Sequence, residues 1–310
     1  MGKREWVVVY LKGFAMGSAD AIPGVSGGTI ALITGIYDRL VGAIANIDRD
    51  GVFVLLTSAL RAYSTEDRIR GLERAFQMDL PFLFVLAFGV VSAAVTAANV
   101  ILVGITEFPG PTYAFFFGLI AASVYVLRDE MTIDSSRGVL VAFVGFVLAF
   151  VLSGSFDGSF GDGLLVVFLS GAIAICAMVL PGISGSLILL ALGQYELMVE
   201  TVHRLTDAVL NGAGSEIAAP LAILVVFATG ALLGLLSFAR VVSWALETYR
   251  RETLTFLIAL MVGALRAPGE EILAATSVWT PTVSATLVIA AIVGGGLVVL
   301  LDSMTAGIEY

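Results

Sequence analysis

The sequence is short of the residues that most often carry covalent chemistry. Its 310 residues include one cysteine, Cys176, and one histidine, His203. A lone cysteine excludes a disulfide within the chain and a thiolate metal cluster. The lone histidine lies outside the repeated motif described below, so neither a histidine nucleophile nor a histidine metal site is expected. These shortages favour a protein that is not an enzyme and that holds no metal and no cofactor.

Charge is scarce as well. Only 13% of the residues are charged, against about 25% in an average soluble domain. A helix needs roughly 20 apolar residues to cross a bilayer. Uncharged runs of about this length or longer cover residues 82–105, 108–127, 138–156, 217–239 and 272–301. The pattern predicts an all-α polytopic membrane protein, with the bilayer as its main partner and no nucleic-acid partner.

Lysine is the scarcest charged residue. There are two lysines, Lys3 and Lys12, and 25 acidic residues stand against 16 basic ones. An acidic, lysine-poor surface suits a salt-rich cytoplasm. The composition therefore indicates a halophilic source.

A pentapeptide of the form P-G-x-S-G occurs twice, at Pro23–Gly27 and at Pro181–Gly185. Aligning the two copies sets an offset of 158 residues (181 minus 23), and ten of the 28 positions from residue 13 to residue 40 are then identical. Internal duplication is typical of transporter folds, whose sites lie between the repeats. The sequence predicts two repeats, 1–155 and 156–310, in a single transmembrane domain.

Each pentapeptide interrupts an apolar run. Residues 163–195 carry no charge, and as one helix they would extend about 50 Å, beyond the ~30 Å hydrocarbon core. A break near the middle predicts a re-entrant hairpin of two short helices, which is tolerated at depth only where protein or water covers it. We expect hairpins at about 6–45 and 163–203. Each is followed by three transmembrane helices, and an amphipathic cytoplasmic segment, 46–80, precedes those of repeat one.

Arginine placement predicts the orientation. We place spans at about 82–106, 110–127, 138–156, 218–240, 253–266 and 283–301. With the N-terminus in the cytoplasm, twelve basic residues then fall inside and two, Arg204 and Arg266, outside, which satisfies the positive-inside rule. Both termini are cytoplasmic in this multi-pass protein of the cell membrane. An odd number of spans per repeat predicts inverted repeats. If each hairpin instead crosses the membrane as two full spans, the same basic residues fall inside and outside. Six spans and ten therefore remain alternatives.

The two breaks predict an anion site. A helix that begins inside the membrane presents unpaired N–H groups and the positive end of its dipole, as phosphate-binding helix N-termini do. The glycines let the backbone approach a ligand, and the serine caps the next helix, expected to begin near Thr29 or Leu187. The alternative is a kink or close packing of small residues. The candidate ligands are Gly24, Ser26, Gly27, Gly28, Thr29, Gly182, Ser184, Gly185 and Ser186.

Ionisable residues within apolar sequence are costly and are usually functional. Lys12 and Asp20 are eight residues apart, on one helix face and about 12 Å from each other. Lys12 and Arg39 are the candidate cations for a bound anion. Asp20, Asp38 and Glu196 are candidates for tuning the site or coupling it to an ion. The alternative is that Lys12, Arg39 and Glu196 lie at the membrane interface and extend to water.

The repeated segments resemble a known family. Residues 12–40, KGFAMGSADAIPGVSGGTIALITGIYDRL, and 174–198, AICAMVLPGISGSLILLALGQYELM, resemble a prokaryotic membrane family once described only as a domain of unknown function. Its members are polyprenyl-phosphate translocases. The resemblance covers both repeats. It implies a transporter that returns a lipid carrier, such as undecaprenyl phosphate, to the cytoplasmic leaflet for reuse. In a halophilic archaeal member, a dolichyl-type phosphate would be the more fitting carrier.

Physical chemistry agrees with this implication. The tail of a lipid phosphate is stable in hydrocarbon and its charged head is not, so a translocase needs an anion cradle at mid-depth that opens sideways for the tail. An anion channel or small-anion carrier that uses the same helix ends is the alternative. A lipid-phosphate phosphatase is a third reading, without the histidine or metal ligands it would need. Coupling to H⁺ or Na⁺ and assembly into a homo-oligomer stay open.

Overall fold

A computed structural model describes residues 2–20, 26–60, 65–96, 98–154, 161, 163–211 and 216–305. All regular elements in these ranges are helices, as the sequence predicts, with a short 3₁₀ turn at Arg128–Glu130. In chain order they are α1 Lys3–Asp20, α2 Gly27–Ile33, α3 Tyr37–Ala45, α4 Arg49–Leu60, α5 Thr65–Gln77, α6 Leu80–Thr96, α7 Ala98–Glu107, α8 Pro109–Leu127, α9 Ser136–Leu152, α10 Leu164–Val179, α11 Gly185–Ala191, α12 Tyr195–Leu210, α13 Ala218–Thr248, α14 Arg250–Ala264, α15 Arg266–Ala275 and α16 Pro281–Thr305.

Several of these helices have the length and composition of membrane spans. Within the described residues, three pass as single spans: Pro109–Glu130, Ala218–Thr248 and Pro281–Leu300. The number rises to five if two bent pairs are each one span, α2 with α3 at 115° and the end of α5 with α6 at 69°. Large apolar side chains such as Phe84, Leu165 and Ile289 are exposed, as expected for a surface that faces lipid.

Some helix boundaries differ from those predicted. Helix α13 continues eight residues past its predicted end at 240, because no glycine or proline follows Gly234 before the helix ends. Helix α15 was not predicted. The helices after the two breaks begin at Gly27 and Gly185, slightly before the predicted starts at Thr29 and Leu187. The described residues of the span predicted at 82–106 are all helical and belong to α6 and α7.

The two short helices α2 and α11 end in the same way. Gly35 and Gly193 follow them with positive φ, +70° and +67°. The N–H of Ile36 donates to Ala31 O at 3.0 Å, and that of Gln194 donates to Leu189 O at 2.8 Å. This is the Schellman motif, whose left-handed residue is usually glycine. It explains why the alignment of the repeats includes Gly35 and Gly193.

Helix packing is duplicated beyond the hairpins. Helix α1 packs on α6 as α10 packs on α13, and α8 packs on α16 as α14 packs on α9. Glycines permit this close approach. A Cβ atom at Gly13 would lie 2.2 Å from Leu86 O, and one at Gly171 would lie 2.3 Å from Phe227 O. Small residues at such contacts are typical of membrane helices.

A sharp corner between two helices also occurs twice. Phe108, between α7 and α8, has φ −133° and ψ 53°, and Tyr249, between α13 and α14, has φ −131° and ψ 48°. The Thr112 hydroxyl donates to the carbonyl oxygen eight residues earlier at 2.8 Å, and the Thr253 hydroxyl does the same at 3.1 Å. The offset is 141 (249 minus 108). Helix α14 is therefore the counterpart of α8.

The ion pairs and hydrogen bonds that join distant segments near the helix ends form two groups, at the two ends of the bundle. The first, called here the arginine-rich end, contains the pairs Arg39–Asp79, Arg240–Ile47, Arg250–Asp38, Arg137–Glu252 and Thr132–Thr255. The second contains Arg266–Phe150 and Gln194–Gly161. Every pair joins segments that the sequence places on the same side of the membrane.

The 46–80 segment forms the helices α4 and α5 at the arginine-rich end. The Asp48 carboxylate accepts the Gly51 N–H at 2.8 Å and pairs with Arg74 at 2.6 Å. The Gly51 N–H and the Arg74 guanidinium hold the pKa of Asp48 below its usual value. These contacts connect the start of α4 to the end of α5.

Gly35→Ala should destabilise the protein by about 1–2 kcal/mol, because an L-residue in the left-handed region is strained. No atom lies within 4 Å of the added Cβ, so the loss would be conformational and not steric. Thermal unfolding in detergent measures it. Gly42→Ala is the matched control: it also has open space around its Cβ, but it lies inside α3 and should stabilise by about 0.5–1 kcal/mol. Equal shifts for both variants would contradict the interpretation.

Candidate functional site

The two breaks lie against each other. The Ser26 hydroxyl donates to Leu180 O at 3.2 Å, and the Gly182 N–H donates to Thr29 Oγ1 at 3.0 Å. A Cβ at Gly28 would lie 3.1 Å from Val179 O. The hydroxyls of the first break therefore satisfy backbone groups of the second. Pro23 and Gly24 lie outside the described residues.

The N-terminus of α2 already has acceptors from the chain itself. The Gly27 N–H donates to Asp20 Oδ1 at 2.5 Å. The Gly28 N–H donates to the hydroxyl of Ser26, which is the N-cap as predicted, at 3.2 Å. The Thr29 N–H donates to Ser26 O at 3.0 Å. A carboxylate thus occupies the positive end of this helix, where the sequence predicts a bound anion.

The other end of α2 is contacted by a cation. Lys12 is buried, and its Nζ donates to Thr34 O, at the C-cap of α2, at 2.6 Å. Helix α1 therefore runs antiparallel to α2. The eight residues from Lys12 to Asp20 span about 12 Å, which is close to the ~10 Å length of α2. A carboxylate at the N-terminus and an ammonium at the C-terminus both complement the helix dipole.

The second break repeats this geometry without the charges. Met178 and Ser170 stand where repeat one has Asp20 and Lys12. A Cβ at Gly27 would lie 2.5 Å from Asp20 Oδ2, and a Cβ at Gly185 would lie 2.5 Å from Met178 Cγ. Asp20 and Met178 thus cover equivalent glycines, and the start of α11 faces a thioether instead of a carboxylate.

Hydroxyls at the second break pair differently from those at the first. Ser184 is the N-cap of α11 but makes no side-chain cap hydrogen bond. Its Oγ lies 2.8 Å from that of Ser186, and either can be the donor. The predicted ligands Gly182, Ser184, Gly185 and Ser186 are therefore brought together at one helix start.

Three predicted site residues lie beyond the far ends of the short helices. Arg39 makes two hydrogen bonds with the Asp79 carboxylate, at 2.7 and 2.9 Å, and stacks on Phe82. Asp38 pairs with Arg250. Glu196 is exposed in the first turn of α12. The structure thus places these side chains at the ends of the hairpins, whereas Asp20 is at a break.

An apolar groove leads to the second break. It lies between α9, α13 and α14 and has a volume of about 680 Å³. Leu180 lies at its inner end, and Arg137, Tyr249 and Glu252 lie at the arginine-rich end. The sequence predicts a sideways opening but does not identify these residues. The one sequence feature that marks these groove residues is the corner at Tyr249, and it does not stand out among the apolar residues around it.

The fold and the site together define the class of protein. A bundle of apolar helices with two broken helices in contact at their breaks is typical of membrane transporters. Residues 16–294 match the family described as undecaprenyl phosphate translocase-like, and the chain belongs to this family. The description names a translocase and not an enzyme.

Two relatives bear names that agree with this assignment. The chain is 38% identical over 262 residues to the polyprenyl-phosphate transporter of Vibrio cholerae, which covers 84% of this chain and 77% of the relative. It is 29% identical over 279 residues to the polyprenyl-phosphate transporter of Staphylococcus aureus, covering 86% and 87%. No solved structure matches the chain. Among the described residues, no three His, Cys, Asp or Glu side chains group as a metal site.

Thr29→Val should destabilise the protein by about 1–3 kcal/mol, because it leaves the buried Gly182 N–H without its acceptor. Thr29→Ser should restore most of the stability. Thr34→Val is the control, since the hydroxyl of this buried threonine donates only to carbonyls of its own helix. Thermal unfolding of the three variants gives the comparison. A Thr29→Val protein as stable as Thr34→Val would show that the contact between the breaks contributes nothing.

Proposed function

We propose that the protein moves a polyprenyl-phosphate lipid carrier across the cytoplasmic membrane, with the phosphate bound at the paired breaks. Family membership and the names of both relatives support the substrate class. The observation that carries the site is the contact between the two breaks, which brings the N-termini of α2 and α11 together. An undecaprenyl or dolichyl chain would serve equally well at a site that binds phosphate.

The energetics require more than the helix dipoles. A dipole contributes about 0.3–1 kcal/mol per helix end, or ~2 kcal/mol when partly buried, whereas an unpaired ion in an apolar medium costs far more. Hydrogen bonds to a charged group contribute about 1.5–3 kcal/mol each. We assign these bonds to the N–H and hydroxyl groups of Ser26–Thr29 and Ser184–Ser186, with Gly24 and Gly182 allowing close approach. Lys12 and Arg39 stay the candidate cations, although in this conformation they lie at and beyond the end of α2 opposite the breaks.

The contact of Asp20 with Gly27 suggests how binding is coupled to a proton. The carboxylate occupies the N–H group that a phosphate would use, and two anions at one helix end repel each other. Phosphate binding at the first break therefore requires Asp20 to leave or to take up a proton from water. On this proposal H⁺ is the coupling ion, and Asp38 and Glu196, at the hairpin ends, act on access instead of binding.

The orientation and the movement belong to the same proposal. The arginine-rich end is assigned to the cytoplasm by the positive-inside rule. The equivalent helix pairs and corners support inverted repeats, whose rocking would expose the breaks to either side in turn. A bare-anion carrier would use the same helix ends, but it would have no need for an apolar groove that reaches a break.

The double variant Ser26→Ala/Ser184→Ala should weaken polyprenyl-phosphate binding at least tenfold, because two hydroxyls at the cradle are lost. Gly27→Val should abolish binding, since its side chain would collide with the Asp20 carboxyl. Binding is measured on purified protein, and transport in proteoliposomes. Ser123→Ala is the control, because its buried hydroxyl bonds within its own helix.

Unaltered binding in folded Ser26→Ala/Ser184→Ala and Gly27→Val proteins would place the phosphate elsewhere. Binding of inorganic phosphate without any preference for the lipid would favour the bare-anion carrier. Polyprenol, which lacks the phosphate, should compete only weakly.

Asp20→Asn should remove the pH dependence of transport, because a neutral amide can still accept the Gly27 N–H but cannot exchange a proton. Transport rate against pH in proteoliposomes is the measurement. Unchanged rate and unchanged pH profile would exclude the role of Asp20.

The converse change is Met178→Asp, which places a carboxylate beside Gly185. It should weaken polyprenyl-phosphate binding at least tenfold at neutral pH, whereas Met178→Leu should leave it unchanged. Equal binding by the Asp and Leu variants would mean that the start of α11 does not receive the phosphate.

A further inference from the structure

We infer that the groove between α9, α13 and α14 is the docking site for the hydrocarbon chain of the transported lipid, with Arg137 receiving the phosphate at its mouth. The inference rests on the proposed function and adds a second, peripheral site to it. It also assigns the conformation: the path to the breaks is open toward the arginine-rich end.

The lining of the groove fits a hydrocarbon chain. Val141, Leu148 and Phe256 lie on the α9 and α14 side, and Phe238, Val241 and Val242 lie on α13. Val241 is 56% exposed on a surface that faces the bilayer. About 680 Å³ is within the range of ligand pockets, so the groove holds part of a long chain while the remainder stays in the membrane.

The inner end of the groove connects it to the site. Leu180 lines the groove, and its carbonyl accepts the Ser26 hydroxyl at the contact between the breaks. The groove therefore joins Arg137 at its mouth to the residues proposed to hold phosphate. This continuity distinguishes the groove from an ordinary depression between helices.

The mouth of the groove has the charge that a phosphate requires. The Arg137 side chain is 73% exposed and lies 4.0 Å from Glu252, a weak pair that leaves most of the guanidinium accessible. Arginine binds phosphate with two parallel hydrogen bonds. Helices α9 and α14 both begin here, at Ser136 and Arg250, so their positive ends point toward the same position.

The corner at the opposite end lacks these features. A depression of about 430 Å³ lies beside the equivalent corner at Phe108. Glu107 is its one charged lining residue, and none of its lining residues belongs to a break. An anionic lipid is therefore expected to dock at the arginine-rich groove and not at this depression.

Filling the groove should discriminate by chain length. Ala245→Trp and Val241→Trp both place an indole in the groove, and Val241 is exposed enough to accept one without repacking. Both should weaken binding of undecaprenyl phosphate to purified protein at least tenfold and leave binding of geranyl phosphate within twofold. Leu233→Trp, an exposed position of the same helix outside the groove, is the control and should change neither.

Arg137→Gln tests the mouth. It should weaken binding of undecaprenyl phosphate at least fivefold and leave binding of undecaprenol unchanged. Arg128→Gln is the control, because this arginine is at the same end but stacks on Tyr125. In the wild-type protein, a benzophenone-bearing isoprenyl phosphate should label residues of 238–257, and unlabelled undecaprenyl phosphate should compete.

The outcomes separate the inference from the proposed function. Suppose that the wild-type protein prefers undecaprenyl phosphate to undecaprenol and that the folded tryptophan variants bind undecaprenyl phosphate normally. The assignment of the groove is then wrong, and the proposed function stands. The assignment of the groove is also wrong if these variants lose binding of phosphatidylglycerol as much as binding of undecaprenyl phosphate. It is wrong as well if their only effect is a change of oligomeric state. If wild-type protein shows no preference for the phosphate, the proposed function itself fails.

Discussion

The structure depends on satisfying backbone groups where two helices are interrupted among apolar residues. An unpaired N–H or carbonyl costs several kcal/mol in a surrounding without water. Here the hydroxyls of the first break satisfy backbone groups of the second: Ser26 donates to Leu180 O, and Thr29 accepts from the Gly182 N–H. The breaks must therefore lie in contact, which in turn sets the positions of α1, α2, α10 and α11. The glycines at the α1–α6 and α10–α13 contacts then allow the flanking helices to approach closely enough to cover them.

The duplicated scaffold differs in its charges. In repeat one, Asp20 and Lys12 lie at the two ends of α2 and complement its dipole, so this short helix is stabilised by its own chain. In repeat two, Met178 covers the equivalent glycine and leaves the start of α11 without a carboxylate. On the proposed function, the two halves therefore have different tasks. The start of α11 is ready for a substrate phosphate, whereas the start of α2 binds one only after Asp20 has been displaced or protonated.

The sequence predicts the helical class and the interruption of a helix at each pentapeptide, because P-G-x-S-G and its flanking glycines are rare enough to align without structure. It did not predict the partners of the charged residues. Asp20 accepts the N–H of Gly27, seven residues later, and Arg39 pairs with Asp79, 40 residues away. The duplicated corner is not evident in the sequence, because the offset between the repeats falls from 158 to 141. The number of residues between the hairpin and the spans differs between the two repeats. There, Thr112 and Thr253 are among few identities in an apolar background. The groove depends on how three distant helices pack, which periodicity does not encode.

The hydrocarbon chain and the charged head of a lipid phosphate need different surroundings, and the described helices provide them in different places. The chain needs only a continuous apolar surface, which the groove of α9, α13 and α14 provides at the edge of the bundle. The head needs N–H groups, hydroxyls and a cation. The N–H groups and hydroxyls are concentrated where the helices break, whereas the candidate cations Lys12 and Arg39 lie at and beyond the other end of α2. Because Leu180 belongs both to the groove and to the break, the head can be transferred between donors while the chain stays in hydrocarbon. On the proposed function, the protonation of Asp20 determines when the first break can bind the head group. On this reasoning the helix breaks serve solvation of the head group, and the duplicated scaffold serves access from two sides.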